Sequence, residues 1–215
     1  MEISPDPALL NVLYWITLIA VVVSSASAVL KAGLKQFDLF GVVMIAIATG
    51  LGGGSLRDML LDRPVFWIHD QIFFIASIGS AFAVFLSARF MNISPRLFLI
   101  PDAAGLATFA IAGTLVAIML GVPWLVASFM GVMTGTMGGI FRDVLCNEPP
   151  MVFHSPLYAT VSWLGSLLFI LLLYSGMEIT LAAIVAGLSI FTARLLALHF
   201  DIHLPSFRFK VTDHK

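Results

Sequence analysis

A chain of 215 residues that is 60% hydrophobic and only 11% charged falls outside the range of soluble domains, about a quarter of whose residues are charged. Its formal net charge of −1 gives no global attraction to nucleic acid, and its single cysteine, Cys146, excludes an intrachain disulfide and a thiolate metal centre. A mean hydropathy of +1.05 over this length points to an all-α polytopic membrane protein with room for roughly seven spans of about 20 residues each.

In chain order, apolar runs with polar, Pro or Gly boundaries predict helices near 9–30, 39–61, 70–90, 97–120, 122–146, 156–174 and 178–199. They form one membrane domain over 1–215, with a tail over 200–215. The runs are continuously apolar, which suits helices that satisfy their own backbone and not the alternating strands of a barrel. Ser25-Ala26-Ser27-Ala28 resembles a cleavage site, but Glu2 and Asp6 replace the basic region of a signal peptide, so the first run is read as an uncleaved span. Lys31, Lys35, Arg89, Arg96, Arg142, Arg208, Lys210 and Lys215 fall on one side of these seven spans, against only Arg57 and Arg63 on the other. Positive charge marks the cytoplasmic side, giving an outer N-terminus and a cytoplasmic C-terminal tail.

One block occurs twice. Thr49-Gly50-Leu51-Gly52-Gly53-Gly54-Ser55-Leu56-Arg57-Asp58-Met59-Leu60 returns 85 positions later as Thr134-Gly135-Thr136-Met137-Gly138-Gly139-Ile140-Phe141-Arg142-Asp143-Val144-Leu145. The same offset carries Pro64 onto Pro149 and His69 onto His154. Spans one to three (9–90) make one copy and spans four to six (97–174) the other, leaving the seventh (178–199) over. Three is odd, so the second copy enters the membrane inverted, the pattern that marks a transport site near the midplane.

Three successive glycines at 52–54 are disfavoured in a helix by roughly 1 kcal/mol each. They predict an opening whose freed carbonyls, facing a cavity, ligate a cation. Thr49, Ser55, Thr134 and Thr136 add hydroxyl oxygens beside Gly52, Gly53, Gly54, Gly138 and Gly139. An oxygen-only set suits a transient hard monovalent cation and no resident metal. Close helix packing is the competing explanation of small residues, weaker for a doubled block with Arg-Asp beside it than for one glycine run, and the two roles are compatible. A charge inside a membrane must be paired or hydrated, and adjacent helical residues do not face each other. Arg57-Asp58 and Arg142-Asp143 are therefore expected to pair elsewhere, either as clamps or as gating charges on a cation path.

The remaining polar residues carry weaker signals. Asp102 follows Pro101 at a helix start and reads as a cap. Lys31 and Lys35 read as basic groups facing anionic lipid. His69 and His154 lie near loop ends and read as interfacial. His199, Asp201 and His203 only weakly resemble a metal set. Trp15, Trp67, Trp124, Trp163, Tyr14 and Tyr158 read as interfacial anchors. Ala182/Ala186 and Ala183/Gly187 have small-residue packing spacing. No nucleophile–base pair or phosphate loop is visible, so neither an enzyme nor an ATP-driven pump is expected.

The doubled block, with Phe37-Asp38-Leu39-Phe40-Gly41 before it and Asp102-Ala103-Ala104-Gly105-Leu106 in the fourth span, resembles the prokaryotic TRIC (trimeric intracellular cation) channel family over 9–199. These proteins were once grouped as a predicted glycine-transporter domain. The resemblance implies a 3+3 inverted repeat plus one helix, a homotrimer, and a pore in each protomer between second and fifth helices kinked at glycines. It also implies passive permeation of potassium, without a cofactor or an obligate protein partner, in a bacterial inner membrane. A carrier for glycine or another small neutral amino acid is the alternative. Met137 stands where the first copy has Gly52, so the two halves are not equivalent.

Overall fold

The computed structural model describes residues 7–90 and 94–205. Glu2, Asp6, Arg208, Lys210 and Lys215, and with them most of the tail, lie outside the described residues. Among the described residues the fold is all-helical, without strands. In order come α1 (Pro7–Ala32), α2 (Leu39–Leu60), α3 (Phe66–His69), α4 (Gln71–Arg89), α5 (Leu99–Met119), α6 (Trp124–Leu145), a 3₁₀ turn (Met151–Phe153), α7 (Ala159–Tyr174) and α8 (Ile179–Phe200). Local chemistry sets several starts. Asp38 accepts from the Gly41 amide at 2.7 Å, Asp70 from Ile72 at 2.9 Å, and Glu178 from Thr180 and Leu181, each carboxylate serving amides that lack an intrahelical partner.

Among the described residues, six helices are long and apolar enough to cross a membrane. The other two are α3, with four residues, and α7, whose 16 residues reach only about 24 Å at 1.5 Å per residue. The centre is α5, enclosed over most of its length by α1, α6, α7 and α8, whereas α4 lies largely on the surface. Ala182 and Ala186 are fully buried on α8, as their spacing predicts.

The crossing of α2 and α6 is set by glycine. A Cβ on Gly53 would fall on the Thr134 carbonyl oxygen, and one on Gly138 on the Thr49 carbonyl oxygen. Two helix backbones therefore touch with only hydrogens between them, the close approach that small residues permit within a membrane. Both helices stay α-helical through their glycines. The freed carbonyls expected at an opening are accordingly not present: the glycines remove side chains from the crossing without interrupting the helix. The hydroxyls behave consistently. Thr49, Ser55, Thr134 and Thr136 each donate to the carbonyl four residues back at 2.6–2.8 Å, the local bond open to Ser and Thr inside helices.

A matched pair of substitutions tests this packing. Gly53→Ala should destabilise the detergent-solubilised protein by about 1–3 kcal/mol, the usual range for overpacking, and lower its melting temperature. Gly79→Ala in α4, whose Cβ would meet nothing within 4 Å, should be neutral or stabilising by up to about 1 kcal/mol.

Candidate functional site

The Arg-Asp pairs close α2 and α6 in the same way. At the end of α2, Arg57 Nε donates to Asp58 Oδ1 at 2.8 Å, and the other carboxylate oxygen accepts the Phe66 amide at 3.0 Å, the first residue of α3. At the end of α6, Arg142 Nε donates to Asp143 Oδ1 at 2.9 Å, and Asp143 Oδ2 accepts the Met151 amide at 2.8 Å, the first residue of the 3₁₀ turn. Between these anchors the chain turns through a left-handed residue, Asp62 (φ 50°) or Asn147 (φ 55°). The next amide, Arg63 or Glu148, returns to the carbonyl of Asp58 or Asp143 at 2.9 Å. Every element of the second copy stands 85 positions after its counterpart.

The expectation that adjacent Arg and Asp pair elsewhere is corrected here. Side chains at i and i+1 leave the helix in different directions, but the guanidinium is long enough to turn back onto the neighbouring carboxylate. That carboxylate is fixed in turn by an amide eight residues on.

The surroundings of the two copies differ. Around Arg142 and Asp143 the site is a network. Arg142 Nη1 donates to Asp102 Oδ1 and, at 2.9 Å, to Ser27 Oγ. Lys31 Nζ lies 2.7 Å from Asp143 and 3.1 Å from Glu148, and Lys35 Nζ lies 2.9 Å from Glu148. The Tyr158 hydroxyl donates to Asp102 at 3.3 Å. The Phe98 ring lies beneath both cations, 5.1 Å from Lys31 and 5.4 Å from Arg142. Around Arg57 the set is sparse. Arg57 is 2% exposed, its Nη2 also rests on Asp58, and its Nη1 has no partner among the described residues. Where the second copy has Asp102, Glu148 and Tyr158, the first has Thr17, Arg63 and Phe73.

Three further expectations are corrected. Lys31 is 4% exposed and points into the protein, not at lipid, because two carboxylates sit within its reach; Lys35 shares Glu148 from the surface. Asp102 lies in the first turn of α5 but serves Arg142 and Tyr158 instead of capping it. Tyr158 is buried, not interfacial. A side chain's direction across a bundle leaves no periodic trace in sequence, which is why these three were misread. Arg194, fully buried on α8, was not singled out at all, although an Arg inside an apolar span is itself a signal.

A cavity of about 10 Å³ beside the crossing is lined by Ser24, Thr49, Asp102, Gly138, Arg142 and Tyr158, among others. Asp102 Oδ2 is buried without a partner among the described residues. His69 and His154 are exposed, and no group of three His, Cys, Asp or Glu able to hold a metal occurs among the described residues.

The chain matches the family described as glycine transporter twice, over residues 14–89 and 99–174. It belongs to that family. The two matched segments are again 85 positions apart at both ends, so the doubling extends over whole copies and not only over the glycine block. Among its relatives, the UPF0126 inner membrane protein YadS of Escherichia coli (strain K12) is 34% identical over 197 residues, covering 90% of this chain and 95% of the relative. A UPF0126 membrane protein of Vibrio cholerae is 37% identical over 199 residues, covering 92% and 83%. The solved TRIC trimeric intracellular cation channel orthologue from Rhodobacter sphaeroides superposes with a TM-score of 0.84 at 32% identity, over 89% of this chain and all of that one. The resemblance to TRIC channels thus holds in fold as well as in motif.

Two measurements follow from the network. Lys31→Met leaves buried Asp143 with Arg142 and the Met151 amide but without its second cation and should cost about 1–3 kcal/mol, whereas Lys35→Met, at the surface, should cost about 0–1 kcal/mol; thermal melts in detergent separate them. Glu148 lies in the loop after α6, and its hydrogen bond from Lys35 holds its carboxyl below the usual value near 4.5. A lowered carboxylate pKa stabilises the fold above the unfolded value and loses that contribution as pH falls through the folded one. The melting-temperature difference between wild type and Glu148→Gln should therefore be full well above the usual value near 4.5 and shrink as the pH falls below it.

Proposed function

We propose that this protein is a passive cation channel, with potassium as the permeant ion and a path inside each protomer between α2 and α6. In this reading α1, α2 and α4 form the first repeat and α5, α6 and α7 the second, inverted in the membrane, with α8 outside both. The short α7 completes the seventh crossing with the irregular segment that precedes it. Non-helical backbone is tolerated at membrane depth where protein buries it. The protomers assemble as a homotrimer in a bacterial inner membrane, N-terminus outside and C-terminus cytoplasmic.

The observation that carries this reading is the Gly53–Gly138 contact, with one Arg-Asp pair at the far end of each helix. A backbone-to-backbone seam is the one part of a membrane bundle that can part without unpacking large side chains. Bending of α2 at Gly52–Gly54 and of α6 at Gly138–Gly139 opens it and turns the Thr49 and Thr134 carbonyls toward the gap, where they replace part of an ion's hydration shell. The hydroxyl oxygens of Ser55 and Thr136 extend that surface. Arg57 and Arg142, each neutralised by its own Asp, tune the charge at either end.

The name of the R. sphaeroides orthologue supports the cation, and its trimeric description supports the assembly. YadS, an inner membrane protein, supports the membrane. Despite the family's description, a glycine carrier is less well supported: it needs a site for a carboxylate and an ammonium together, and the space beside the crossing holds about 10 Å³, barely the room of one water.

Purified protein in planar bilayers decides between the two. The channel reading expects unitary currents whose reversal potential follows the potassium gradient, and their alteration in Gly53→Ala and Arg57→Gln. Saturable glycine uptake in proteoliposomes without unitary currents would reverse the order.

A further inference from the structure

Arg194 lies on α8 six residues before its end, about 9 Å along the axis. That is close enough for a long side chain to reach the membrane surface. It does not go there. It is 0% exposed and, among the described residues, has no carboxylate partner. An unpaired buried cation is costly by several kcal/mol, so its surroundings must compensate.

They do so with oxygens and a ring. Nη1 donates to the Pro156 carbonyl and, at 3.3 Å, to that of Leu157, while Nη2 donates to Ser155 Oγ at 2.9 Å. The guanidinium lies 4.5 Å from the centre of the Tyr158 ring, an attraction that strengthens when the pair is desolvated. The four residues contacted, 155–158, are the irregular segment entering α7, and two of its carbonyls, Pro156 and Leu157, face the guanidinium. Tyr158 then reaches the second half-site: its hydroxyl donates to Asp102, which accepts from Arg142. The same hydroxyl fills the place that a side chain at residue 139 would take, 3.0 Å from an ideal Cβ on Gly139. The first copy has Phe73 at the corresponding position and no counterpart of Arg194, because α8 lies outside the repeat.

We propose that Arg194 is a positioning residue for the ion path: it fixes the Tyr158 ring, Tyr158 fixes Asp102, and Asp102 fixes the direction in which Arg142 presents its charge. The unrepeated helix thereby makes the two half-sites unequal. This rests on the channel reading above.

The test is a set of unitary-current recordings on the full chain in planar bilayers, comparing wild type, Arg194→Gln, Arg194→Lys, Tyr158→Phe and the double variant Arg194→Gln/Tyr158→Phe. Arg194→Gln and Tyr158→Phe should each change unitary conductance or the potassium-to-chloride permeability ratio by about threefold or more, and the double variant by no more than the larger single effect, as expected for groups acting in series. Arg194→Lys should resemble Arg194→Gln, because an ammonium cannot span two carbonyls, a hydroxyl and a ring. It also serves as the comparison if Arg194→Gln does not fold. Unchanged conductance and selectivity with only a lowered melting temperature would overturn the proposal, as would effects that multiply in the double variant. If the wild type carries no current, the channel reading falls by itself, and positioning is then read from maleimide labelling of Cys146. This buried residue, the chain's single cysteine, lies four positions after Arg142. Faster labelling in Arg194→Gln and Tyr158→Phe, again without addition, supports the proposal; an unchanged rate contradicts it.

Discussion

Two helix backbones in contact at Gly53 and Gly138 are the constraint on which the rest of this molecule depends. Nothing larger than a hydrogen fits between them, so α2 and α6 lie closer than side chains would allow. That closeness brings the ends of both helices against the central α5 and α1. It also explains why glycine, normally disfavoured inside a helix, is concentrated where the helices remain regular: its conformational cost is offset by packing that no other residue permits.

The two half-sites show how one backbone device accommodates different electrostatics. In each, an Asp near the helix end takes an Arg on one oxygen and the first amide of the next short helix on the other, which fixes the chain as it leaves the bundle. Around that shared lock, Asp102, Lys31, Glu148 and Tyr158 make the second copy a balanced network, while in the first Arg57 keeps a guanidinium nitrogen without a partner among the described residues. The halves are therefore unequal by construction: the asymmetry lies in the surrounding side chains and not in the backbone.

Much of this was legible in the sequence, for reasons that can be named. Apolar runs end where lipid would, so the spans read as 39–61, 70–90 and 178–199 lie within a residue or so of α2, α4 and α8. The 85-residue offset carries over to turns, left-handed residues and the Asp58 and Asp143 bonds to the next segment's first amide, because similar sequence produces similar local geometry. Contacts between distant segments carry no such mark. Lys31 at a helix end looks the same whether it meets lipid or Asp143, and the Arg57-Asp58 pair depends on side-chain reach, which helical periodicity does not encode. The short α3 and the 3₁₀ turn were missed because four and three residues leave no periodic pattern, and the glycines were read as breaks because propensity alone does not register a packing partner.

The most direct measurement asks whether α2 and α6 must part for ions to pass. In a Cys146→Ser background, cysteines replace Met59 near the end of α2 and Val126 in the first turn of α6, both outward-facing. A short bis-methanethiosulfonate, which forms a disulfide with each cysteine and releases sulfinate, then ties the helices during bilayer recording, and a reductant cleaves it. The account predicts that cross-linking abolishes the unitary currents and that cleaving the linker restores them, with no change in chains carrying either cysteine alone. Cross-linked channels that conduct as before would contradict it.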